Sequence, residues 1–91
     1  MICVYISILD DCISSEITYE NLIKVTNKIN NQHKNTFNIT VLNLYDPNDA
    51  IVADKLNIFD APCITCKNKH LQGLVTENII YKFLKQFINY D

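Results

Sequence analysis

The sequence predicts an α/β fold in which helices flank a four-stranded mixed sheet, with elements in the order β-α-β-α-β-β-α. Three observations carry this reading. Ile2 to Leu9 is a nearly continuous, β-branched apolar run, the mark of a strand buried on both faces in a parallel or mixed sheet. Leu22, Val25 and Ile29 recur at helical spacing between that strand and a second β-rich run, Phe37 to Tyr45. Further on, Lys67-Asn68-Lys69 is a tight polar turn, and a connection that short joins only antiparallel neighbours.

The 91 residues are read as one domain, 1–91, whose core must be economical because a short chain buries a smaller fraction of its surface. With 48% hydrophobic and 20% charged residues, the composition is that of a folded globule and not of a disordered segment. Eight basic against ten acidic residues give a formal charge of −2, and the lysines are scattered. No electropositive stripe tracks a phosphate backbone, which argues against nucleic acid as a partner. No apolar stretch approaches the ~20 residues of a membrane span. Ile2 to Leu9 is also too short, and too poor in basic flanks, for a signal peptide. The expected location is therefore cytoplasmic. There the four cysteines read as free thiols, redox groups or metal ligands before structural disulfides.

After the first strand, Asp10 to Ser15 is a polar connection rich in helix-capping residues. A helix follows to about Asn31, with Tyr19, Ile23 and Thr26 widening the apolar stripe and Glu20, Lys24 and Lys28 on the wet side. Ile13 and Ile17 fall off that stripe and Thr18 is a candidate N-cap, so a start at Cys12 and a start near Thr18 both stand. Asn30 to Thr36 is expected to be a loop and Phe37 to Tyr45 the second strand. Asp46-Pro47-Asn48-Asp49 starts a short helix carrying Ala50, Ile51, Ala53 and Leu56 and ending near Asn57. Ile58 to Pro62 leads into a third strand, Cys63 to Cys66, and His70 to Val75 returns as the fourth. The last helix opens at Thr76-Glu77-Asn78 and is expected to bury Ile79, Ile80, Phe83, Leu84, Phe87 and Ile88.

That order resembles the thioredoxin-like fold in its small, glutaredoxin-sized form. Leu44-Tyr45-Asp46-Pro47-Asn48, Ile58-Phe59-Asp60-Ala61-Pro62 and Gly73-Leu74-Val75-Thr76-Glu77 carry the resemblance, in order and at fitting spacings. It implies a cis Ala61-Pro62 bond beside the functional edge, with Ala61, Pro62 and Cys63 contacting substrate. The alternative for Pro62 is a trans residue opening an ordinary strand. Redox members carry Cys-x-x-Cys or Cys-x-x-Ser between strand one and helix one, where the helix N-terminus stabilises the attacking thiolate. The matching stretch is Cys12-Ile13-Ser14-Ser15, so the resemblance implies catalytic roles for Cys12 and Ser15. It also implies a mixed disulfide with a protein thiol or glutathione, and no resident cofactor. Acidic Asp10 and Asp11 beside Cys12 are expected to raise its pKa.

Cys63 and Cys66 lie three apart on a strand and point to opposite faces, so they read as small buried hydrophobes. Two further pairings stay open, Cys12 with Cys63 and Cys3 with Cys66 across the sheet. Zinc needs four converging ligands, and His33 and His70 sit apart, so no metal is expected. Three functions follow: a thiol-disulfide oxidoreductase using Cys12, a non-catalytic interaction module such as KaiB-type proteins build on a related fold, and an iron-sulfur or glutathione scaffold. Ordinary loop chemistry at Cys12 is the competing reading of that thiol.

Overall fold

The computed structural model describes residues 1–34 and 36–88. Its elements are β1 (Ile2–Ile8), α1 (Ile13–His33), β2 (Phe37–Asn43), α2 (Pro47–Lys55), β3 (Cys63–Cys66), β4 (Lys69–Gln72) and α3 (Glu77–Lys85). The sheet order is β2-β1-β3-β4. β1 and β2 are parallel, with Val4 opposite Ile39, and α1 makes the crossover that parallel neighbours require. β3 runs antiparallel to β1 and β4 antiparallel to β3.

Alternation along the strands builds two cores. Val4, Ile6, Ile64 and Cys66 pack with Leu22, Val25 and Ile29 of α1 and Ile80 and Leu84 of α3. On the other face, Leu42 and Cys63 pack with Ala53 of α2 and Ile58. Burying an Ile or Leu contributes about 1.5–3 kcal/mol, so the first core dominates the fold. Cys63 and Cys66 indeed enter different cores, as strand alternation requires.

α1 starts at Ile13 with Cys12 as its N-cap residue, and the later start at Thr18 is not adopted. The Leu9 N–H donates to Ser15 Oγ at 3.2 Å, which fixes the first turn, and both Ser15 and Thr18 are buried helical residues. The helix extends to His33 and ends at Lys34, whose φ is 45°, so it overruns the expected Asn30 to Thr36 loop. Asn35 of that loop lies outside the described residues. Asp46 caps α2, its side chain accepting from the Asn48 N–H at 2.9 Å, with Pro47 opening the helix. Thr76 caps α3 by accepting from the Ile79 N–H at 3.3 Å.

β4 stops at Gln72, short of the expected Val75. Gly73 makes the last in-register bond, its N–H donating to the Pro62 carbonyl at 2.8 Å; Pro62 has no N–H to return, and Gly73 turns the chain away at φ 87°, a conformation that suits glycine. Ile79 is exposed, contrary to expectation, because Ile80 and Leu84 define the buried line of α3 and Ile79 turns about 100° away from it. Among the described residues, no helix is long and apolar enough to cross a membrane.

Candidate functional site

The C-terminal ends of β1 and β2 and the start of β3 meet at one end of the sheet, since Ser7 lies opposite Cys63. There the chain leaves β1, passes Asp11 in a left-handed conformation (φ 58°) and reaches Cys12, which is extended and half-buried at the N-cap of α1. The Glu16 N–H donates to the Cys12 carbonyl at 3.1 Å, closing the first helical turn behind the thiol.

Cys12 lies in a field of donors. Its pKa is held below the ordinary thiol value, first by the Ser15 hydroxyl and then by the backbone N–H groups of Ser15 and Ser14, which together outweigh desolvation. Ser15 Oγ already accepts from Leu9, so its own proton is left to donate. In the resting geometry the side chain makes no capping hydrogen bond. The donors act on the charged form, at the positive end of a 21-residue helix. This corrects the expectation that Asp10 and Asp11 would raise the thiol pKa. Asp10 accepts from Asn43 Nδ2 at 3.0 Å, which turns its carboxylate toward β2 and leaves the nearer amides to decide the sign.

A cleft of about 280 Å³ opens beside the thiol, with Ile8, Leu9 and Tyr19 as its apolar wall and Asp10, Asp11 and Glu16 as its acidic rim. The edge expected to bind substrate stands at the same end of the sheet. Ala61 is half-buried, Pro62 and Cys63 are buried, and the Ala61-Pro62 peptide bond is cis. Ser7 Oγ donates to the Asp60 carbonyl at 2.7 Å and lies 3.4 Å from that of Cys63, so the central strand pins both sides of this edge.

Cys63 faces a different environment from Cys12. Its Sγ lies 3.7 Å from Thr65 Oγ1 and 4.0 Å from His70 Nδ1, and Thr65 and His70 are hydrogen-bonded to each other at 2.8 Å. Burial pushes its pKa up, against the lowering effect of the Thr65 hydroxyl. The neighbours that tune the two thiols have no residue in common. Cys3 and Cys66 take opposite faces of the sheet. Cys66 pairs with Val4, so Cys3, one residue along, points to the other face and lies 3.5 Å from Thr40 Oγ1. All four cysteines are free. Among the described residues, no group of three or more His, Cys, Asp or Glu side chains converges as a metal site.

The sequence reading missed the Thr65–His70 pair and the Asn43 bridge to Asp10. A two-residue hairpin turn at Lys67-Asn68 would have placed Thr65 opposite His70, whereas nothing local linked Asn43 to Asp10.

Solved structures with the same chain path are informative about the fold. The chain is similar to human ERp44 in its zinc-bound form, with a TM-score of 0.72 and 12% identity, over 93% of this chain and 26% of that one. It thus spans about a quarter of the ERp44 length. The fold is thioredoxin-like. A second structure, described as that of a malarial protein, is similar at a TM-score of 0.60 and 13% identity, over 94% of this chain and 96% of that one. No family model and no curated protein matches the sequence. In a thioredoxin-like frame, Cys12 stands where strand one hands over to helix one, and Pro62 where strand three begins.

Proposed function

We propose that this chain is a thiol-disulfide oxidoreductase of glutaredoxin-like character, acting through the single nucleophile Cys12. The observation that carries the reading is the donor set at Cys12: the Ser15 hydroxyl and two backbone N–H groups at the head of a long helix, all favouring the thiolate. The thiolate is the form that attacks disulfides. In the proposed reaction the Cys12 sulfur attacks one sulfur of a substrate disulfide, and the other departs as a thiolate. An external protein thiol or glutathione then attacks the mixed disulfide and releases Cys12. Ser15 holds the negative charge on sulfur between turnovers, and Ala61, Pro62 and Cys63 form the edge along which an extended thiol substrate lies. No resident cofactor is proposed. Four free thiols suit a reducing compartment, and we place the activity in the cytosol.

The test is thiol transfer by the full chain and by Cys12→Ser. Activity should fall to the uncatalysed background in the variant, and equal activity would sink the reading.

A second reading, a non-catalytic interaction module, is favoured by exposed apolar side chains near the same end: Ile13 beside Cys12, Phe59 before the Pro62 edge and Leu74 after Gly73. A partner retained at full affinity by Cys12→Ser, together with absent thiol transfer in the wild type, would establish it instead.

A further inference from the structure

The charges of this chain are sorted along the sheet axis. Ser7, Cys63 and Gln72 lie level at one end, and Val4, Cys66 and Lys69 lie level toward the other. The Cys12 end gathers Asp10 and Asp11, Glu16 in the first turn of α1, Asp46 and Asp49 at the start of α2, Asp60 before β3 and Glu77 at the start of α3. Asn43 ties two of them together, its Nδ2 donating to Asp10 and its N–H to Asp49 Oδ2, each at 3.0 Å. At the far end stand Lys34 beyond α1, Lys67 and Lys69 around the hairpin turn, and Lys82 and Lys85 in the last turn of α3. Lys69 Nζ reaches Gln86 Oε1 at 2.7 Å, which joins the hairpin turn to the end of α3. A formal charge of only −2 therefore hides a strongly anionic pole around the thiol.

The pole bears directly on the cleft. Three carboxylates, Asp10, Asp11 and Glu16, share its lining with Cys12 and the apolar Ile8, Leu9 and Tyr19, and among the described residues no basic side chain lines it. An incoming disulfide meets negative charge before it meets sulfur. Clefts lined by one sign of charge concentrate ligands of the opposite sign and repel those of the same sign.

We infer that the cleft selects cationic disulfides, those carrying an amine or a Lys or Arg side chain close to sulfur, and disfavours anionic ones such as oxidised glutathione. This rests on the reading of Cys12 as the exchanging thiol. The Cys12 thiolate attacks one sulfur of the cationic disulfide, the new S–S bond forms as the old one breaks, and the electron pair leaves with the departing thiolate, which takes a proton from solvent. A cationic thiol, as its thiolate, then attacks the substrate sulfur of the mixed disulfide. That step regenerates the Cys12 thiolate and a cationic disulfide, with no net oxidant consumed.

The experiment measures mixed-disulfide formation at Cys12 in the full reduced chain by intact mass and peptide mapping. The reagents are cystamine, the neutral bis(2-hydroxyethyl) disulfide and oxidised glutathione. Each rate is divided by that of the same reagent with 2-mercaptoethanol, at low and at high ionic strength. The expected order is cystamine, neutral, glutathione, spanning on the order of tenfold at low salt and shrinking at high salt as charges are screened. The double variant Asp11→Asn, Glu16→Gln should flatten the order. Asn tolerates the left-handed conformation that residue 11 adopts, and Glu16 is exposed, so both changes suit the fold. Normalised rates independent of reagent charge and of salt in the wild type would overturn the inference while leaving Cys12 an exchanging thiol. No adduct at Cys12 with any reagent would overturn both.

Discussion

The Ser7 hydroxyl donates to the Asp60 carbonyl at 2.7 Å, so a fully buried polar side chain of the central strand holds the segment that enters β3. A hydroxyl at 0% exposure is tolerable because it is satisfied, and what it satisfies is the backbone at the edge opposite α1. Ser7→Ala should cost about 1–2 kcal/mol, since the carbonyl loses its donor. In a chain of this size that lowers Tm by about 5–10 °C. An unchanged Tm would show that Ser7 does not hold the edge.

Thr18 is the reverse case. Its Oγ1 is buried without a hydrogen-bond partner among the described residues. Valine has nearly the same shape and no hydroxyl to desolvate, so Thr18→Val should stabilise the fold by up to about 1 kcal/mol. A drop in the urea midpoint would contradict this.

Cys66 links stability to alkaline pH. Burial, only partly offset by the Lys67 ammonium and reinforced by Cys3, pushes its pKa from 9.0 up to about 11. Between those values the folded chain keeps a proton that the unfolded chain releases. The contribution is therefore fully present below pH 9 and is lost as pH rises toward 11. The full loss is worth roughly 3 kcal/mol, and Cys63, also raised by burial, acts in the same direction. Urea midpoints measured across this window should fall more steeply for the wild type than for Cys66→Ala; equal slopes would remove Cys66 as the cause.

Ser15 and Ser14 act on Cys12 in different ways. Ser15 contributes its hydroxyl as well as its N–H, whereas Ser14 contributes only its N–H. Ser15→Ala should therefore move the Cys12 reactivity profile to higher pH and cost about 1 kcal/mol through the lost Leu9 contact, while Ser14→Ala leaves the profile in place. Equal profiles for the two variants would remove the hydroxyl from the account.

Much of this architecture was legible because it is written in periodicity. The β1 run, the Leu22, Val25 and Ile29 stripe and the hairpin at Lys67-Asn68-Lys69, whose last residue opens β4, each follow from local geometry that tertiary context only trimmed. The site was less legible because its chemistry depends on groups brought together from elsewhere. Counting Asp10 and Asp11 as neighbours of Cys12 gave the wrong direction for its pKa, since Asn43 of β2 engages the Asp10 carboxylate and the Ser15 hydroxyl and N–H favour the thiolate. Nothing in the sequence fixes the register of β1 against β3, and it is the Val4–Cys66 pairing that sets Cys3 and Cys66 on opposite faces. The anionic pole arises from seven acids scattered over six elements and loops, so no window of sequence displays it.

Residue-resolved alkylation of the native chain across neutral and alkaline pH reads the thiolate at the head of α1 directly. Cys12 should react fastest of the four thiols, with a midpoint below the ordinary thiol value, while buried Cys63 and Cys66 react slowly and only at higher pH. A Cys12 midpoint at or above the ordinary value, or a rate no greater than that of Cys63, would contradict a thiolate poised at the head of α1.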